Sequence, residues 1–224
     1  TWTLSFWVKR SSVNTSAAQW FFSSANVSSA SFIMGFASDD TFAAVQDTTG
    51  YGASTAAKYR DPSAWIHFVV VADTTNATQA NRIRIYSNGV LASSISGTVA
   101  QNYATAWNAA VAHNIGRYNV GASNYLDGYM ADTYFIDGQA LNPTSFGQYD
   151  ANGYWRPKAY SGTYGTNGFH LAFGNGAALG TDTSGNSNTF TVNGLTSVDQ
   201  MIDTPTNSFA TWTPLEKITG STVN

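Results

Sequence analysis

The chain has 224 residues and a formal net charge of −3, and only 10% of its residues are charged, against a usual share of about 25%. Its four Lys and six Arg are scattered, which leaves no basic stripe for a nucleic-acid backbone. The absence of cysteine excludes a disulfide frame, a thiolate zinc site and a cysteine nucleophile, and no apolar run approaches the ~20 residues of a membrane-spanning helix.

In chain order, Trp2, Leu4, Phe6 and Val8 alternate with Thr3, Ser5, Trp7 and Lys9, the period of a strand. Short strands are expected at Gln19 to Ser23, Ser31 to Phe36 and Thr41 to Gln46, with Asp39-Asp40 turning between the last two. Asp47 to Asp61 reads as a loop or an irregular strand. Trp65 to Asp73 is the most hydrophobic strand, with Ile66, Phe68, Val70 and Ala72 on one face. Arg82 to Ser87 alternates, Asn88-Gly89 favours a type I′ hairpin, and Val90 to Ile95 returns. His113 to Tyr118 is another strand. Leu126 to Ile136 is a long strand with bulk on both faces, which suits burial between two layers. Asp137-Gly138 turns, and Asn142-Pro143 is set to start a helical turn. Beyond it, Phe169 to Phe173 and Thr189 to Val192 read as strands in a Gly-, Ser- and Asn-rich background.

Many short strands at this spacing predict an all-β chain, an antiparallel β-sandwich. Residues 1–150 are expected to form it, with 151–224 as a C-terminal extension packed along it. The chain starts inside a strand pattern without Met and ends at Asn224 without a closing element. It reads as a piece of a longer protein with a further domain downstream.

Five segments, TLSFWVKR, WIHFVVVAD, RIRIYSNGVL, HNIGRY and LDGYMADTYFIDGQAL, together resemble the concanavalin A-like lectin/glucanase superfamily, and within it the laminin-G-like jelly rolls. The matching positions are Thr3 to Lys9, Trp65 to Val71, Ile85 to Gly89 and Leu126 to Leu141, and the resemblance spans roughly Thr1 to Tyr149. It implies a jelly roll. It also implies a structural calcium ion in many relatives, with Asp132 at the position of the family's late-strand Asp. The later stretch GFHLAFGNGAALGTDTSGNSNTFTVNG, with DTPTNSFATWTPL after it, resembles a segment that follows such jelly rolls in tailed-phage virion proteins, often tail-fibre-like ones.

The glucanase side of the resemblance requires two carboxylates across a cleft. Glu216 is the only Glu, and the five-residue spacing of Asp127 and Asp132 puts them on opposite strand faces. Serine–histidine chemistry has no G-x-S-x-G elbow, and His67, His113 and His170 sit in or beside apolar strands, where packing is the commoner role. The expectation is therefore no enzyme. Asp39-Asp40 either holds a second calcium ion or caps its turn. Glycan contact would use loop aromatics and amides, for which Tyr51, Trp107, Tyr118, Asn119 and Asn124 are candidates, Trp107 with core packing as its alternative. Trp2, Trp7, Trp20 and Trp65 are assigned to the core. Tyr149, Tyr154 and Trp155 either meet another chain or wrap the sandwich and cover an edge. Three glycosylation-type triplets, at Asn14, Asn26 and Asn76, are discounted in so Asn-, Ser- and Thr-rich a chain.

The functional expectation is a non-enzymatic phage virion surface module, in a tail fibre, spike or head appendage. It would contact host-surface glycan or other virion subunits and form a homo-oligomer, with no nucleic-acid partner and no membrane insertion. Capsid decoration and a lectin-like module of a non-viral secreted bacterial protein are the alternatives.

Overall fold

The computed structural model describes residues 1–13, 16–25, 31–46, 50–96, 98–118 and 124–206. Its strands are β1 (Trp2–Arg10), β2 (Gln19–Ser24), β3 (Phe32–Phe36), β4 (Thr41–Gln46), β5 (Gly52–Lys58), β6 (Ile66–Ala72) and β7 (Ile83–Ser87). They continue with β8 (Val90–Leu91), β9 (Ser93–Ser96), β10 (His113–Ile115), β11 (Gly128–Asp137), β12 (Gly147–Tyr149), β13 (Trp155–Pro157) and β14 (Phe169–Leu171). Two antiparallel six-stranded sheets stack as a jelly-roll sandwich, in the orders β14-β11-β1-β6-β7-β8 and β10-β2-β3-β4-β5-β9. β12 and β13 form a separate hairpin.

Alternation in β1 and β6 decides what lies between the sheets. Trp2, Leu4, Phe6 and Val8 join Ile66, Phe68, Val70 and Ala72 in the main core. Phe6 sits at its centre within 6 Å of Phe21, Phe22, Phe42 and Phe68 by ring centroid, and Phe42 stacks on Phe68 at 4.2 Å. Such aromatic pairs add to the stabilisation that burial alone provides.

The opposite face of the first sheet is also covered. Val69, Val71, Tyr134, Ile136 and Phe146 form a second apolar cluster, with Leu141, Tyr160 and Tyr164 packed on it. That explains why β6 and β11 are hydrophobic on both faces: the chain after β11 folds back as a third layer. Trp155 reaches into this layer over the Asn88-Gly89 turn, where φ is 46° at Asn88 and 83° at Gly89, the signs a type I′ turn requires.

A buried ion network holds one corner. The Arg10 guanidinium donates to Asp40 Oδ1 (2.9 Å) and to the Tyr59 carbonyl (2.7 Å), and Arg60 donates to Asp40 Oδ2 (2.7 Å). Arg10 and Asp40 are each 1% exposed, and the guanidinium lies 4.3 Å from the Phe36 ring centroid. Two charges so far from water are tolerable only when paired.

Four elements differ from the sequence expectations. Residues 52–58 form a strand: with only Gly, Ala, Ser, Thr and one Lys it carries no hydrophobic period, and its neighbours β4 and β9 supply the pairing. Val90 to Ile95 is not one return strand. It divides at Ala92 into β8, paired with β7, and β9, paired with β5 in the other sheet. Thr189 to Val192 forms no strand; Phe190 N–H donates to the Gly180 carbonyl instead of joining a sheet. Finally, β11 carries a bulge. Ala131 and Tyr134, three apart, lie opposite Trp7 and Ser5, two apart, and Asp132 has φ 46°. The bulge changes which parity faces the core, with Met130 inward before it and Phe135 after it. The odd-spacing argument for Asp127 and Asp132 on opposite faces therefore does not hold. The turn at Pro143–Ser145 is 3₁₀, and Asn142 precedes it in extended conformation without a side-chain capping bond.

Candidate functional site

A groove of about 510 Å³ opens beside β10 and β11, between the turn at Ala106–Asn108 and the loops of residues 167–190. Its apolar floor is Trp107, Phe135 and Phe169, which are 2%, 4% and 6% exposed, and the half-buried Phe190 ring stands edge-on to Phe169 at 4.9 Å. Trp107 is held between Phe22, His113 and Phe135 in edge contacts of 4.9 to 6.2 Å. It belongs to the core, and it offers the groove a fixed wall rather than a free face.

The polar lining is amide-rich. Asp137, at the end of β11, accepts from Asn108 Nδ2 (2.9 Å) through Oδ1, and from Asn167 N (3.2 Å) and Nδ2 (2.8 Å) through Oδ2. Asn188 Nδ2 donates to the carbonyls of Thr166 (3.1 Å) and Gly168 (2.9 Å). His113 Nε2 bonds the Trp107 carbonyl, which can only accept, so that nitrogen carries the proton. Burial pushes the His113 imidazole below its ordinary 6.5, with the backbone carbonyls opposing, so it is neutral at neutral pH.

The other candidates lie elsewhere. Tyr118 is half-buried after β10, and Asn124 lies before β11 with φ 52°. Tyr51, 38% exposed, precedes β5, four strand spacings from β10, or roughly 19 Å. Tyr51 and Tyr118 therefore lie toward opposite sides of the sheet. Asn119 lies outside the described residues.

Neither acidic position fits calcium, which takes six to eight oxygen ligands. Asp132 Oδ1 faces His170 Nε2 at 3.6 Å, a nitrogen, and His170 stacks on Tyr134 at 4.0 Å. Asp40 has both carboxylate oxygens on arginines, and Asp39 accepts from the Thr41 hydroxyl (2.7 Å) and backbone N–H (3.2 Å). No cluster of three or more His, Asp or Glu side chains converges among the described residues.

Among the described residues one serine–histidine pair exists, and its proton is on the wrong atom for catalysis. Ser5 Oγ lies 2.8 Å from His67 Nε2, and Trp155 Nε1 lies 3.0 Å from His67 Nδ1. Indole N–H only donates, so Nδ1 accepts and Nε2 carries the hydrogen. That ring cannot take a proton from Ser5, as a catalytic base must. Both residues are buried, and desolvation lowers the His67 pKa to about 3. Trp155, half-buried, is thus a cover over the sheet, whereas Tyr149 and Tyr154 next to it are 57% and 63% exposed.

Sequence reasoning reached Trp107 but missed Asn108, Asn167, Asn188 and Phe190. The one available signal, Asn density in short loops, does not say which loops meet.

Among known proteins, the family model for the concanavalin A-like lectin/glucanases superfamily, in its laminin-G form, matches residues 1–146. A search of curated proteins returned no match. Among solved structures, a native heptameric SAP-like pentraxin from Limulus polyphemus is 18% identical with a TM-score of 0.40; the match covers 63% of this chain and 65% of the pentraxin chain.

Proposed function

This chain belongs to the concanavalin A-like lectin/glucanase superfamily, and from that premise we propose that it is a non-catalytic glycan-recognition module on a virion surface. The groove carries the reading. It joins the half-buried Phe190 ring, on which a sugar ring can stack, with fixed side-chain amides that bond hydroxyls. Two further observations support the absence of chemistry: the Ser5–His67 pair has its proton reversed, and the sequence contains a single Glu. Support for a virion comes from residues 168–194 and 203–215, which resemble the segment that follows such jelly rolls in tailed-phage virion proteins.

The test is a glycan array of bacterial surface polysaccharides probed with the full chain and with Phe190→Ala. Binding that the variant loses supports the reading. Release of reducing sugar, or no binding by a chain firmly built into particles, removes it. The second outcome favours an assembly role, for which the exposed Tyr149 and Tyr154 and the aliphatic run Leu195, Val198, Met201 and Ile202 are the candidate contact surfaces.

A further inference from the structure

We infer that the groove selects uncharged, polyhydroxylated saccharides and rejects anionic ones, an inference that rests on the glycan-recognition reading above. The orientation of the three amides is the main argument. Their hydrogen-bond partners decide which end of each Asn amide is the nitrogen. The Asp137 carboxylate and the carbonyls of Thr166 and Gly168 only accept hydrogen bonds. The amide nitrogens of Asn108, Asn167 and Asn188 must therefore point at them. Asn188 donates both amide hydrogens to those carbonyls, and Asn108 and Asn167 donate one each to Asp137. The three lining amides thus keep three acceptor oxygens against two N–H donors, and a sugar hydroxyl has a hydrogen to give those oxygens. A carboxylate or sulfate has none.

Charge acts in the same direction. No Lys, Arg, Asp or Glu side chain is among the described residues lining the groove. The nearest full charge that bonds to it is Asp137, directly behind Asn108 and Asn167, and it is negative. His113 is the one titratable group in the lining, and burial keeps it neutral. An anion entering here would lose its hydration and meet carbonyl oxygens in front of a carboxylate, with no cation to compensate. A neutral pyranose lays its C–H face on Phe190 and turns its hydroxyls to the amides. At about 510 Å³ the groove has room for more than a single ring.

The experiment probes the full chain on one array that carries neutral glycans beside sialylated, sulfated and uronate-containing ones. Two variants accompany it: Phe190→Ala, and Ala110→Lys, which adds a cation at an exposed lining position. Their melting temperatures show that they fold. The expected result is wild-type binding confined to neutral glycans, weakened tenfold or more by Phe190→Ala, with Ala110→Lys gaining sulfated glycans. Wild-type binding to anionic glycans that Phe190→Ala abolishes overturns the inference and leaves glycan recognition standing. Binding to no glycan of either kind overturns both.

Discussion

His67 shows how a single side chain reports the state of the whole sheet. It is buried, stacks on Trp7 at 4.7 Å, donates to Ser5 and accepts from Trp155. Its pKa falls to about 3 because burial disfavours the imidazolium. The unfolded chain, with His67 near 6.5, takes up a proton that the fold refuses until about pH 3. Stability from this group is thus complete above pH 6.5 and declines as pH falls through that window, by up to about 1.4 kcal/mol per pH unit. His113, whose pKa is also lowered by burial, adds a contribution of the same sign. Urea unfolding between about pH 7 and pH 5, where carboxylates stay ionised, measures the slope. His67→Gln is expected to flatten it; an unchanged slope would mean that the imidazole is not buried neutral.

At the scale of elements, the β12–β13 hairpin is seated on the sheet through Trp155, with Tyr149 beside it bonding the Asn88 carbonyl. Trp155 lies against Gly147 and Gly89, where a Cβ would come within 2.4 Å and 2.7 Å of the indole ring. Gly147 pairs with Pro157 in the same hairpin, so the glycine lets the ring lie flat over the strand beside it. Gly147→Ala is expected to displace Trp155, break its bond to His67 and cost about 2 kcal/mol, in the range for overpacking. The His67 titration, followed by NMR, should move up toward 6.5 as water enters. A variant with wild-type His67 titration would disprove the seating role. The β11 bulge is the other element-scale device: by reversing parity at Asp132 it puts Phe135 into the main core and Tyr134 and Ile136 into the outer cluster.

For the molecule as a whole, the boundary of the family match at residue 146 is not a boundary of the fold. β14 pairs with β11 through Thr133, Tyr134 and Phe135, and Lys9 bonds Asp203 at 2.6 Å. The outer cluster around Val69, Val71 and Ile136 is covered by Tyr160 and Tyr164 from beyond residue 146. A chain cut after Phe146 would expose this face and half of the groove lining. It is expected to bind hydrophobic dyes and to associate on gel filtration. If it instead unfolds cooperatively at the wild-type temperature as a monomer, the later residues are an accessory and not a layer.

Alternation alone was enough to place β1, β6 and β7 and to sort their faces, because burying one side of a sheet imposes a period of two on the residues that form it. Asn88-Gly89 likewise declared its turn, since a positive φ at two successive residues restricts the choice of side chains. The groove was not legible in this way. Asn108, Asn167 and Asn188 lie up to 80 positions apart and follow no period. What makes them a site is the Asp137 carboxylate and two backbone carbonyls that orient their amides. The proton on His67 is equally a tertiary property, decided by a tryptophan 88 residues away. Local pattern determines which face a residue shows; only the folded chain determines what that face meets.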